Sequence, residues 1–304
     1  MSNTSFNRVK EIDAWPALPL SDWQDTYATL HMWSQIVGKI RLTLTPLENH
    51  FWNSTLYLTS RGLTTSPIPY GNRTFEIDFD FVDHRLIIQT SDASTNVLSL
   101  SPKSVADFYG EVMDTLRTLA IEVQISAKPD EVQDPIPFAE DRKHASYDGE
   151  AVNRFWRILF QADRVFKKFR ARFIGKCSPV HFFWGSFDHA VTRFSGRRAP
   201  ERPGADAITR EAYSHEVISH GFWPGGGAID SPMFYSYAAP APAGLDKASI
   251  LHGFYSSDLS QFLLPYDDVR RSTSPDDTLL EFMQSTYEAG ANLANWDRPA
   301  LERR

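Results

Sequence analysis

The sequence holds a single cysteine, Cys177, among 304 residues. One thiol cannot form an intramolecular disulfide framework or a multi-cysteine zinc site. No window approaches the roughly 18 apolar residues of a membrane helix. The opening MSNTSFNRVKEIDAW has no apolar stretch of signal-peptide length. Both absences lead to the expectation of a soluble, cytoplasmic protein with no membrane partner. Basic residues are the minority, 31 against 38 acidic ones, for a net charge of -7. That balance argues against a surface built for nucleic acid. The glycine-rich WPGGG (223–227) lacks the ending of a phosphate loop, and no G-x-S-x-G elbow occurs.

What is present is apolar and aromatic. The chain is 42% hydrophobic and 13% aromatic, enough for a packed core, and its length suits two ordinary domains or one large one. Ser21 and Gln24 have capping-box spacing, and Trp23, Tyr27, Leu30, Ser34 and Val37 continue a helix that Gly38 should end. Alternation predicts strands at 39–45, 54–60, 75–81 and 85–91, the last two as a hairpin. A helix over 103–120 and a strand at 121–126 complete the half. The proline-rich, aperiodic stretch 127–148 reads as a linker. A long helix over 149–174 then opens a second series, with strands at 180–184, 187–194, 213–220, 233–239 and 260–264. Ser274 and Pro275 announce the last helix. The expected class is α+β, with two similar helix–antiparallel sheet–helix halves at 1–126 and 149–304.

Short matches raise internal duplication. HFWNS (50–54) resembles HFFWGS (181–186), and LTSRGLTTSP (58–67) resembles VTRFSGRRAP (191–200). Duplication and coincidence both account for them. Longer stretches carry a family resemblance: TLHMWSQIVGKIRL (29–42), SRGLTTSPIPYG (60–71), IDFDFVDHRL (77–86), FRARFIGKCSPVHFFWGSFD (169–188), YSHEV (213–217) and GFWPGG (221–226). They resemble an uncharacterised bacterial family, the domain of unknown function numbered 5996. The resemblance implies a bacterial source, no activity and no catalytic residues to carry over.

Chemistry must therefore be read from the side chains. Glu76, Asp78 and Asp80 share one strand face, with Asp83 and His84 at the turn. Such a row is solvated, paired with cross-strand arginines such as Arg41, Arg61 or Arg85, or held by a cation. Asp78, Asp80 and His84 are thus candidate metal ligands, although no metal motif is present. In YSHEVISHGFW the spacing of His215 and His220 is wrong for a zinc-protease helix; on a strand, Glu216 and His220 share a face as candidate acid–base groups. His181, Asp188, His189 and Arg193 lie in an aromatic segment that is either core or a pocket wall. Tyr235 and Tyr237 share a strand face, and Arg197, Arg198 and Arg202 form an arginine-rich loop suited to an oxyanion. Arg172 and Lys176 would favour a thiolate at Cys177, but no nucleophile motif surrounds it.

Residues 142–202 hold 14 Lys and Arg against five Asp and Glu, a local +9 within a chain of net -7. Two functional expectations follow. The first is small-molecule binding in an aromatic cleft lined by His181, Asp188, Glu216, His220, Tyr235 and Tyr237, with Arg61, Arg197 and Arg198 as anion contacts. The second is a non-enzymatic protein that docks an acidic partner through its basic 149–202 segment. Nucleic acid is disfavoured because no recognition motif accompanies the charge. Cofactor and oligomeric partner are unknown at this level.

Overall fold

The first long helix begins at Gln24, after a 3-10 turn over Leu20–Asp22. The computed structural model describes residues 13–227 and 229–303; residues 1–12, read above for a leader, lie outside that range. The Ser21–Gln24 capping box does not form, because Trp23 occupies the N-cap and Ser21 Oγ donates to Asp22 instead. Helix α1 (Gln24–Leu44) also runs straight through Gly38, so the strand expected at 39–45 is helical. Leu30, Trp33, Ile36, Val37 and Ile40 form one buried stripe across that position. Gly38 serves a different purpose: the Trp184 indole lies against the helix where a Cβ would stand.

Strands β1 (Thr55–Leu58), β2 (Gly62–Thr64), β3 (Ile68–Tyr70), β4 (Arg73–Asp80), β5 (Arg85–Thr90) and β6 (Thr95–Ser99) follow. In β4, Phe75, Ile77 and Phe79 are buried on alternate positions as the period of two requires. Helix α2 (Val105–Thr118) starts at Ser104, whose Oγ accepts from the Asp107 N–H at 3.1 Å. Residues 121–126 pair with no strand; the Glu122 N–H donates to the Tyr70 hydroxyl instead. Between 127 and 148 regular structure is confined to a 3-10 turn, Phe138–Glu140. Helix α3 (Gly149–Ala171) is capped by Asp148 and buries Val152, Phe155, Leu159, Phe166 and Phe169 completely. Each such side chain contributes roughly 1.5–3 kcal/mol by leaving water.

The second series comprises β7 (His181–Phe183), β8 (Asp188–Arg198), α4 (Ala207–Ala212), β9 (His215–Trp223), β10 (Met233–Ala239), β11 (Phe254–Ser256) and β12 (Gln261–Pro265). Helices α5 (Tyr266–Arg271), α6 (Pro275–Leu293) and α7 (Arg298–Leu301) end it. All strands join one antiparallel sheet in the order β11-β12-β10-β9-β8-β7-β1-β2-β4-β5-β6, with β3 beside β4. The fold is therefore α+β. The seam is β1 against β7, where Thr55 faces Phe183 and Leu56 faces Phe182. Hydrogen bonding crosses from residues before the 127–148 stretch to residues after it without a break.

Both halves run helix, strands and helix outward from this seam. The short sequence matches do not fall on equivalent positions, however. HFWNS forms a 3-10 turn before β1, whereas HFFWGS contains β7 itself.

Register sorts the side chains into two faces. Leu264, Phe234, Phe222, His189, Phe182 and Leu56 pair across successive strands and face the helices. Phe155 and Phe166 of α3 meet Phe182 and Phe234 there, each at 6.3 Å between ring centroids. Trp33 of α1 stacks on Phe108 of α2 at 4.5 Å. The opposite face of the second half is closed by smaller pieces: Trp52 and Tyr213 pack near Phe194, and Ile229 near Ala190.

The Gly38–Trp184 contact yields a stability test. Alanine gains about 1 kcal/mol of helix propensity over glycine, while forcing a methyl into a filled site costs about 1–3 kcal/mol. Gly38→Ala should thus lower the urea unfolding midpoint; an unchanged or higher midpoint would show that Trp184 yields freely.

Candidate functional site

Arginine neutralises the Asp80 end of the acidic strand face. Arg61 Nη2 lies 2.9 Å and Arg85 Nη2 3.3 Å from Asp80 Oδ2, and both reach Asp83 at 2.7 Å. Burial works against the Asp80 charge, yet the Asp83 and Val82 N–H groups and both guanidiniums hold its carboxyl below the usual range. Arg61, an expected ligand contact, is thus committed on the first half, away from the second-half candidates. Burial raises the Asp78 carboxyl instead, and His84 turns to the Tyr147 hydroxyl at 3.0 Å. Among the described residues no group of three His, Cys, Asp or Glu side chains is arranged to hold a metal ion.

Glu216 and His220 do not meet the other candidates. Register places His220 on the helix-facing side of β9, where its Nε2 lies 3.0 Å from Thr286 Oγ1 and its ring meets Phe169 at 4.7 Å. Thr286 donates its own hydrogen to the Phe282 carbonyl, so His220 Nε2–H is the donor. Burial first, and Arg193 second, push this imidazole far below its ordinary pKa. Glu216 accepts from Ser195 at 2.8 Å and from Arg197 at 2.7 and 2.9 Å. Arg197 in turn donates to the Ala294 and Asn295 carbonyls beyond α6. That arginine is a clasp between β8, β9 and a helix end, and is spent. The alternation of β9 explains the separation: even and odd positions point to opposite faces.

His181, Asp188, Tyr235 and Tyr237 do share one face, the one away from the long helices. Tyr235 lies over Gly221, where a Cβ would strike its ring, and donates to Asp188. Ser186 donates to the other Asp188 oxygen at 2.5 Å. Burial raises the Asp188 carboxyl despite these donors. Tyr237 stacks on Tyr235 at 6.0 Å and shares a 3.0 Å hydrogen bond with the Tyr213 hydroxyl. His181 sits among Trp52, Tyr57 and Phe183 with ring centroids 5.4–5.5 Å away, and among the described residues neither ring nitrogen has a partner. Trp52 escaped sequence reasoning because it lies in a turn with no periodic signal, and Tyr213, expected to open a strand, instead follows the last turn of α4 as its C-cap. The presence of Trp52 in the HFWNS match was the available clue.

The remaining candidates have ordinary surroundings. Arg164 and Lys168 of α3 pair with Asp276 of α6 at 2.7 and 3.0 Å, and Lys167 pairs with Asp163 at 2.7 Å. Cys177 is not a thiolate: burial pushes its thiol up to about 11, outweighing Arg193 and Arg170.

A model described as a family of unknown function matches residues 15–303. The chain belongs to the family of unknown function DUF5996. No curated protein and no solved structure matches it. No described helix of this DUF5996 chain is long and apolar enough to cross a membrane.

Its buried histidines predict acid sensitivity. Burial lowers His31 to about 4 and His181 to about 3. The unfolded chain takes up these protons below the ordinary value of 6.5 while the folded chain does not. Stability is therefore complete above that pH and is lost as pH falls towards the folded values, by about 1.4 kcal/mol per pH unit for each histidine. Urea titrations at pH 7 and pH 5 should show this loss, and His181→Phe should recover about 2 kcal/mol of it. Equal pH dependence in the variant would contradict the neutral, buried state of His181.

Proposed function

We propose that this DUF5996 protein binds a small molecule with a planar apolar body on the sheet face opposite its helices. The observation that carries this reading is the Tyr213–Tyr237 hydroxyl pair, half-buried on a face that none of the long helices covers. Phe183, Trp52 and Trp223 are half-buried on the same face, and Thr192 and Ser219 supply small polar positions between them. Apolar walls with few polar groups are the composition that ligand sites use. Asp188, its carboxyl raised by burial and hydrogen-bonded by Ser186 and Tyr235, adds a buried acidic group. Glu216 and His220 have no part in this reading. Partner docking through the basic helix has less support, since Arg164 and Lys168 already meet Asp276.

Nile red, a neutral planar dye, should bind saturably with one molecule per chain. Thr192→Trp places an indole on the face and should weaken the dye by about tenfold or more, equivalent to roughly 1.4 kcal/mol, with the folded chain otherwise intact by circular dichroism. Equal dye affinity in the variant would sink the reading.

A further inference from the structure

Three nitrogen bases gather at one end of this face with little acidic compensation. Lys176 lies between α3 and β7, Arg198 ends β8, and His215 opens β9 directly opposite Arg198. Among the described residues neither Lys176 nor Arg198 has a carboxylate within 4.0 Å. Arg197, one position away, is fully engaged by Glu216 and two carbonyls, which makes the contrast local.

Lys176 is held on purpose-built surroundings. Its Nζ donates to His50 Nε2 at 2.7 Å and stands 5.0 and 5.4 Å from the ring centroids of Phe194 and Trp52. His50 cannot turn away, because its Nδ1 lies 3.1 and 3.2 Å from the Glu211 and Ala212 carbonyls at the end of α4. Two carbonyls facing Nδ1 place the proton there and leave the Nε2 lone pair for the ammonium. The backbone delivering this ring is strained: His50 and Phe51 are both left-handed, with φ of 60° and 57°. The His215 ring lies 5.7 Å from that of His50. Glu211 is the nearby acid, and its Oε1 accepts from the His50 backbone N–H at 3.2 Å. Arg202 lies over the Tyr213 ring at 4.2 Å.

We propose that Lys176, Arg198 and His215 bind the phosphate group of a small molecule, with His50 as the positioning residue for the Lys176 ammonium. A guanidinium, an ammonium and an imidazole able to take a proton match the charge and acceptor oxygens of a phosphate dianion. Phe194 and Trp52 make the site continuous with the aromatic face. The assignment rests on the small-molecule reading for the rest of the ligand, but the phosphate alone should bind. Burial, Lys176 and Arg198 hold His215 below its ordinary range, and a bound dianion should reverse that.

The test is histidine ring-proton NMR on the full chain with inorganic phosphate, against chloride at equal ionic strength. Saturating phosphate should raise the His215 pKa by about half a pH unit or more. Lys176→Met keeps the hydrocarbon over Trp52 and Phe194 and should weaken phosphate by about tenfold. Arg198→Met, at an exposed strand end, should do the same and serves if the lysine variant misfolds. A His215 shift no larger with phosphate than with chloride would overturn the proposal, as would wild-type phosphate affinity in both variants. Phenyl phosphate binding more tightly than phosphate supports an aromatic ester as ligand. Phosphate binding without Nile red binding keeps this site and removes the aromatic-face reading; the converse removes the phosphate site alone.

Discussion

Two residue pairs hold the architecture together. Thr55 opposite Phe183 and Leu56 opposite Phe182 join two sets of strands into one sheet. Leu56 and Phe182 turn towards the helices, and the strands on either side inherit that facing by register. The long helices then stack on one side, where aromatic contacts such as Trp33 on Phe108 and Phe155 against Phe182 make a continuous core. The other side of the second half is left to a 3-10 turn, a short helix and a loop. Trp52, Tyr213, Tyr237 and Lys176 lie where the helical layer is missing.

The second half handles cations with rings. Arg193 is fully buried on the helix side, its guanidinium 3.4 Å from the Phe169 centroid and 4.3 Å from that of Tyr287. It donates to the Phe169 carbonyl, and burial lowers it only to about 10, so it remains charged near neutrality. A buried charge without a directly paired carboxylate is costly, and the aromatic faces offset part of that cost. Lys176 repeats the arrangement on the opposite side with Phe194 and Trp52. The difference is access. Arg193 is enclosed, whereas Lys176 is exposed and can meet a solute.

Much of the secondary structure was legible because its signals are local. The alternating aromatics of β4, the apolar stripe of α3 and Pro275 at the start of α6 each declare their element within a few residues. Residues 39–45 misled because Ile40, Leu42 and Leu44 alternate as a strand would, while the decisive partner, Trp184, lies far along the chain. Strands β2, β3, β6 and β11 are short, and Gly62 and Pro69 obscure two of them. The shared face of Tyr235 and Tyr237 follows from alternation alone. Which face His220 takes does not, because period two separates faces without saying which is covered. The Lys176–His50 contact was illegible for a stronger reason: it joins a loop after α3 to a turn before β1.

The proposed ligand site is the aromatic face away from the helices, with its charged end at Lys176. Indole N–H resonances report on it directly, since Trp52 and Trp223 border that face and Trp33 lies buried on the helix side. Titration with phenyl phosphate should shift Trp52 and Trp223 saturably while leaving Trp33 in place. A shift at Trp33 without one at Trp52, or no saturable shift at all, would contradict it.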